Sequence, residues 1–454
     1  MTEAAGPQRR RLSIAHMVLL VPWVALVIDA WDPIVDNSFL WHIRAGTVQA
    51  DLGAVLTTDP FSFTMMGEPW LTQSWLVELL YGWAESLTDL GFVPYMILLV
   101  TGLTFVAIGL VAYRRSMSVP ATGFVLILSV LALISFLVPR PVIFSYLLMT
   151  LVVLAWDRPR ARWMLPFLFW IWAAVHASFV IGLMYIGLSL IVKREWRRLP
   201  TIVVAGLATL ATAHGLGVVR FLLDFAESSD ALRYLTEWRR PELFEPVFVP
   251  FLGGVVFIVI GAFRNRIYPI HLWLIVPFVL VGMNSVRAIP PAWLALAPIV
   301  ALSLSGLEIG SRSGLRRRLA AVFAVVVLVL PFLVAADGTL AEERFPLDAV
   351  AFLDDSPTLH SDVVGGFLIW AEGPDRKVYI DDRAELYGDR LGEFVGVRSG
   401  RVDWEPVFQR DGIEQALLAG NEHLVSELSD AGWVTAHEDE HFIVLRSESG
   451  SGGQ

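Results

Sequence analysis

The chain has 454 residues, of which 56% are hydrophobic and 17% charged, with a mean hydropathy of +0.62 and a net charge of −10. Soluble domains carry roughly a quarter charged residues, so the composition excludes an ordinary soluble domain and points to a multi-pass membrane protein; no nucleic-acid partner is expected. Cysteine is absent, which removes disulfides, thiolate metal sites and cysteine nucleophiles.

The charge is split along the chain. From Asp337 onward there are 25 acidic and 9 basic residues, against 19 acidic and 25 basic before it. A basic-looped membrane body over 1–336 and an acidic soluble region over 337–454 follow from that division. The N-terminal "PQRRRLSIAHMVLLVPWVALVIDAW" has a basic start, an apolar stretch and no small-x-small cleavage site, so it reads as a retained first helix.

Apolar runs of spanning length then recur between short charged loops. About eleven spans are expected, near 17–33, 91–112, 119–137, 142–156, 163–176, 178–192, 200–214, 245–263, 267–283, 288–305 and 317–336. The run over 163–192 also fits one long tilted helix, which would invert all that follows. Loop charge decides for a hairpin. With a cytoplasmic N-terminus, the arginine-rich loops at 9–11, 114–115, 157–162, 193–198, 264–266 and 312–318 all fall inside. The C-terminal region is then external, on a cytoplasmic (inner) membrane.

Two external segments are long, 34–90 and 215–244. In the first, "SFLWHIRAGTVQA" places Phe39, Leu40, Ile43 and Thr47 on one helical stripe with Ser38 as N-cap, and "WLTQSWLVELLYGWAESL" is similarly amphipathic. Both are expected to lie in the membrane interface. "TTDPFSFTMMGEPW" between them is rich in turn residues. After Asp337 the pattern is that of a small α/β domain. "FPLDAVAFLDD" and "NEHLVSELSDAG" read as helices, and "RKVYID", "GIEQALLA", "WVTAHED" and "HFIVLRS" alternate like strands. There is no internal repeat and no nucleotide-binding glycine loop.

Asp36 leads the candidate residues. It lies just past the first span, at the external surface where a lipid-linked substrate presents its head group, and a carboxylate there can take a proton from a hydroxyl. A lone loop aspartate is more often solvated or capping, but Trp41, His42 and Arg44 follow within nine residues. His42 and Arg44 suit a phosphate, although Arg44 can equally snorkel to lipid head groups. Asp59, before a proline, can simply cap a turn, and Glu78 can be a polar-face residue. Arg140, His176, His214 and Arg287 all fall at external ends of spans. Charged groups beside spans are costly unless they face water or a cavity, so together they suggest an anion site. In "VYIDDRAELYG", an Asp-Arg pair bracing a loop is the preferred reading over an Asp-pair metal site.

The opening "DNSFLWHIRAG", with "TTDPFSFT" and "PWLTQSWLVE", resembles the first external loop of GT-C-type bacterial membrane glycosyltransferases, the superfamily of protein O-mannosyltransferases and lipid-A aminoarabinose transferases. "PRPVIFSYLL", "WAAVHASFVIGL", "TEWRRP", "NSVRAIPPAWLALAP" and "VYIDDRAELYG" extend the resemblance over nearly the whole chain. It implies a GT-C-like α-helical membrane protein with a small external α/β domain. Such a protein transfers sugar from a polyprenyl-phosphate donor in the bilayer, with Asp36 as catalytic base. Two departures stand out. Ser38 occupies a position that is often acidic in the resembled family, which bears on any paired-carboxylate or metal role there, and Ala177 follows His176 where glycine is common. No cofactor is assigned, a divalent cation being the alternative, and no protein partner is indicated. The expected activity is therefore inverting sugar transfer to an external acceptor. A transporter or lipid flippase, which calls for inverted repeats and mid-membrane charges, and an inactive GT-C-fold scaffold are the competing readings.

Overall fold

The structure is a computed structural model that describes residues 32–227, 238–306 and 338–447. The apolar segments expected at 17–33 and 317–336 lie outside these residues. Each of the other nine expected segments carries a helix. Ahead of them come α1 (Ser38–Leu52) and α2 (Trp75–Thr88). The bundle follows with α3 (Phe92–Ser116), α4 (Val119–Leu133), α5 (Val142–Trp156), α6 (Leu165–Val175), α7 (Phe179–Lys193) and α8 (Leu199–Ala208). After α9 (Gly217–Glu227) come α10 (Phe248–Phe263), α11 (Leu272–Asn284) and α12 (Ile289–Ser303). Three helical stretches, Trp75–Ser116, Val119–Phe136 and Val286–Ser303, are long and apolar enough to cross a membrane; the others described are shorter.

The doubtful run over 163–192 is two helices. His176 leaves α6 in an extended conformation, Trp172 Nε1 donates to Ser178 Oγ at 3.1 Å, and Gln73 Oε1 accepts the backbone N–H of Ala177 at 2.9 Å. These bonds close the polar groups that a helix break exposes.

The first loop departs from its expected form. Asn37, not Ser38, stands at the N-cap of α1, and its side chain makes no capping bond. Every side chain from Ser38 to Ile43 is buried, so α1 has no free polar face. It is clamped between α2 and α13 (Asp362–Glu372). The α1–α2 crossing is glycine-dependent: a Cβ on Gly46 would lie 1.8 Å from the Glu78 carbonyl oxygen, and one on Gly82 would lie 2.8 Å from the Thr47 nitrogen. Helix α2 runs on through a single 3₁₀ turn, Asp89–Gly91, into α3.

Beyond Gly338 the chain forms a four-stranded sheet in the order β1-β2-β4-β3, from β1 (Thr358–His360), β2 (Gln415–Ala419), β3 (Val434–Glu438) and β4 (Phe442–Arg446). β1 pairs parallel with β2, and the other pairings are antiparallel. Between β1 and β2 stand α13, α14 (Ala384–Tyr387), α15 (Asp389–Arg398) and α16 (Trp404–Asp411), and α17 (His423–Asp430) precedes β3. "NEHLVSELSDAG" is α17 as expected, whereas "FPLDAVAFLDD" holds only a 3₁₀ turn at Ala349–Phe352. "RKVYID" is extended but does not join the sheet. Its alternation is satisfied by the first loop instead, through Val378 N–H to Phe61 C=O (2.9 Å) and Phe63 N–H to Val378 C=O (3.0 Å).

One apolar core therefore runs through both regions. Phe39, Leu40, Trp41 and Ile43 of α1 pack in the same cluster as Phe367, Leu368 and Ile369 of α13 and with Tyr379 and Ile380. A second core fills the bundle. A buried charged link between loop and tail is Arg383, which is 1% exposed. Its Nη1 donates to Asp59 at 2.8 Å, and its Nε and Nη2 donate to Asp381 at 2.7 and 2.6 Å. Removing one partner of a buried charge cluster costs about 3–5 kcal/mol, because the remaining charges lose their compensation. Arg383→Met is therefore expected to lower thermal stability in detergent by about that amount, read as a melting shift of the full chain. Gly46→Ala is expected to cost about 1–3 kcal/mol in the same measurement, through overpacking against rigid backbone; an unchanged melting point would mean that α1 and α2 are not in close contact.

Candidate active site

Several elements end at the same place and bring their terminal side chains together. The turn "VPRP" before α5 presents Arg140, and it is fixed by Tyr81 of α2, whose hydroxyl donates to the Pro139 carbonyl at 2.9 Å. The α6–α7 break presents His176. The 3₁₀ turn Val286–Ala288 ahead of α12 presents Arg287, with Val286 N–H bonded to the Arg239 carbonyl at 3.0 Å. From the other side come the start of α1 and the segment 381–385.

These groups surround a cavity of about 470 Å³. Trp41, His42, Glu78, Arg140, His176 and Arg287 line it, and so does Asp382. Its lining also includes the apolar side chains of Val142, Tyr146, Met149, Val180 and Ile181. A smaller cavity of about 270 Å³ adjoins it, lined by Asp36 and Glu245 among others. Arg140 and Arg287 line both cavities and so stand at their common wall. Arg140 Nε lies 2.6 Å from Asp36 Oδ2, and the other Asp36 oxygen is buried without a hydrogen-bond partner. The Arg287 guanidinium sits 5.6 Å above the Trp238 ring.

His42 and Glu78 are coupled. Glu78 is fully buried; its Oε1 lies 2.9 Å from His42 Nδ1, while Gln49 Nε2 (2.7 Å) and Thr72 Oγ1 (2.5 Å) donate to its Oε2. Glu78 is thus a buried acceptor that orients the imidazole, not a polar-face residue. The His176 ring has a comparable constraint: its Nδ1 accepts the Ser178 N–H at 3.1 Å, which requires that nitrogen to be unprotonated and makes His176 a neutral ring, not a cation.

Three sequence candidates fall outside both cavities. The Arg44 guanidinium is spent on the Trp370 carbonyl, with Nε at 3.0 Å, and holds α1 to α13. Asp59 accepts the N–H groups of Phe61 (3.1 Å) and Ser62 (3.0 Å) as well as Arg383, so it caps a turn and anchors the C-terminal segment. His214 Nε2 pairs with the Thr72 carbonyl at 2.8 Å, bracing the loop before α2. Among the described residues, no group of three or more His, Asp and Glu side chains gathers that could hold a metal ion.

Asp382 is the site residue that sequence reasoning passed over. The Asp381–Arg383 brace expected from "IDDRAE" is present, formed by Asp381 alone. The chain turns here, with Asp381 Oδ1 accepting the Arg383 N–H at 2.9 Å and the Asp382 carbonyl accepting the Ala384 N–H at 2.9 Å, and Asp382 has partners of its own. Its Oδ1 accepts Trp41 Nε1 at 2.6 Å, and its Oδ2 accepts the Ser38 hydroxyl. Burial pushes its carboxyl up to about 7; Arg140 and the Ser38 bond pull it down, while Asp381 and Asp36 add to the rise. Asp381 differs: burial opposes ionisation, but the Arg383 guanidinium holds it below the usual range. The legible signal for Asp382 was the doubled aspartate directly after a strand-like run.

No family model matches the chain, and no curated protein matches it. Among solved structures it is similar to the crystal structure of ArnT from Cupriavidus metallidurans in the apo state, at 14% identity and a TM-score of 0.51, over 96% of this chain and 98% of that one. With its apolar helices, its small C-terminal sheet and alignment over nearly the full length of both chains, this protein shares the fold of that structure.

Proposed function

We propose that the protein is a glycosyltransferase that moves a sugar from a polyprenyl-phosphate carrier to an acceptor at the external face of the cytoplasmic membrane. The observation that carries this reading is the amphipathic character of the larger cavity. Two arginines, Arg140 and Arg287, and apolar side chains of α5 and α7 line the same space. A lipid phosphate has the same two-part character. The ArnT-like fold supports a lipid-linked sugar as donor.

The chemistry follows from charge. Displacement at the anomeric carbon leaves a polyprenyl phosphate with growing negative charge. An arginine fork grips phosphate oxygens in two places and stays charged at any working pH. Arg140 is shared in the resting state with Asp36, so an arriving phosphate competes with that carboxylate for the guanidinium. Trp41, His42 and Glu78 close the cavity from the α1–α2 side and restrict water. Removing one preorganised charge-stabilising donor typically costs about 100-fold or more in rate. Arg140→Gln and Arg287→Gln are each expected to lower release of free polyprenyl phosphate from extracted polyprenyl-phosphate sugars by about 100-fold. Two variants with unchanged rates would remove the anion site.

The proposed orientation has an independent check. Alkaline phosphatase fused after residue 336 is expected to be active, and fusions after Arg115 or Arg198 inactive, since only external fusions fold in an oxidising compartment. The reverse pattern would put the cavity on the cytoplasmic side.

A further inference from the structure

Resting on the transfer reading above, we infer that Asp382, carried by the external C-terminal segment, is the catalytic base that faces the acceptor, and that Asp36 serves as a positioning residue for Arg140. Three observations lead there. Asp382 lines the 470 Å³ cavity together with the two arginines and the apolar side chains of α5 and α7, whereas Asp36 lines only the smaller one. Asp36 is committed to Arg140 through Oδ2 and is 7% exposed, so it presents no oxygen to the larger cavity. Asp382 receives one donor on each oxygen, Trp41 Nε1 and Ser38 Oγ. A carboxylate has about four lone-pair sites, so these two bonds orient it and leave each oxygen able to accept a proton.

The step balances with the groups present. Asp382, as carboxylate, takes the proton of an acceptor hydroxyl. The hydroxyl oxygen forms a bond to the anomeric carbon of the sugar as the bond from that carbon to the phosphate oxygen breaks. The electron pair leaves with the polyprenyl phosphate, which Arg140 and Arg287 stabilise, and Asp382 later returns its proton to water. The substrate class this assigns to the acceptor is an alcohol, because a hydroxyl needs a base where a phosphate acceptor would not. A base poised near the working pH is the most effective, and the Asp382 carboxyl is held at about 7. The groups acting on it are Arg140 from the turn before α5, Asp36 and Ser38 from the start of α1, and Asp381 beside it in the chain.

The sign of the pH dependence follows. Below about pH 7 Asp382 is protonated and the base is lost, so turnover falls on the acid side. The test uses the full chain in nanodiscs with extracted, sugar-labelled polyprenyl phosphates, and free polyprenyl phosphate is measured against pH. Asp382→Asn is expected to lower kcat by about 100-fold or more with donor KM unchanged, and to abolish the acid limb. Asp382→Glu, which keeps the carboxyl, is expected to recover part of the rate. Asp36→Asn is expected to raise donor KM and keep the limb, moved to lower pH because a neighbouring negative charge is gone. The inference is overturned if Asp36→Asn abolishes the limb and Asp382→Asn keeps it, or if Asp382→Asn raises KM alone. Infrared difference spectra of the purified chain separate this from the transfer reading. A protonated-carboxyl band that titrates near neutral pH and vanishes in Asp382→Asn is expected even if no sugar is transferred, and its absence overturns the assignment. A wild-type chain that turns over no donor but shows the band would sink the transfer reading alone.

Discussion

The fully buried guanidinium of Arg383 is the constraint on which the joining of the first loop to the C-terminal region depends. Burial alone would push Arg383 toward its neutral form, but Asp381, Tyr387 and Asp59 hold it well above its ordinary range. Its plane also lies over aromatic rings, 4.5 Å from the centre of Trp70 and 5.4 Å from that of Phe61. One charged side chain thus joins the turn at 59–62, the wall formed by Trp41 and Trp70, and the segment that carries Asp382. A charge cannot be left in that environment unpaired, so the three pieces must arrive together.

That requirement explains how two regions separated by the whole bundle come to share a core. The first loop cannot bury Phe39, Leu40 and Trp41 by itself. The C-terminal segment covers them with α13 and with the extended stretch at 377–380, which pairs with Phe61 and Phe63 instead of with its own sheet. The bundle contributes only the ends of its helices, each presenting one polar side chain at a turn. The result is a cavity lined by helix termini of the bundle and by the C-terminal segment. Its chemistry is divided by source: cations from the bundle turns, carboxylates from the loop and the tail.

The near-coincidence of Asp36, Arg140 and Asp382 has a physical consequence of its own. Two carboxylates close to one guanidinium cannot both be fully compensated by it. Asp36 takes the direct ion pair, while Asp382 is left with hydroxyl and indole donors and a carboxyl displaced toward neutrality. An anion that draws Arg140 away changes the balance for both. Binding and proton affinity are coupled at this point because they compete for the same cation.

The amino-acid sequence by itself determined the helical bundle, the hairpin over 163–192 and the placement of Arg140, His176 and Arg287 at helix ends. These depend on hydropathy, loop charge and turn residues, which act over a few positions along the chain. The strands of "GIEQALLA", "WVTAHED" and "HFIVLRS" and the helix at His423–Asp430 were legible for the same reason. What a side chain faces was not. Arg44, Asp59 and His214 carry the right chemistry but are consumed by long-range partners, Trp370, Arg383 and Thr72. Local periodicity gave α1 a polar face that it lacks, because its covering helix lies more than three hundred residues away. Tertiary structure alone decided that adjacent aspartates divide, Asp381 turning into a brace and Asp382 into the cavity, since only packing of the tail against the first loop brings Arg383 to Asp59 and the Ser38 and Trp41 donors to Asp382.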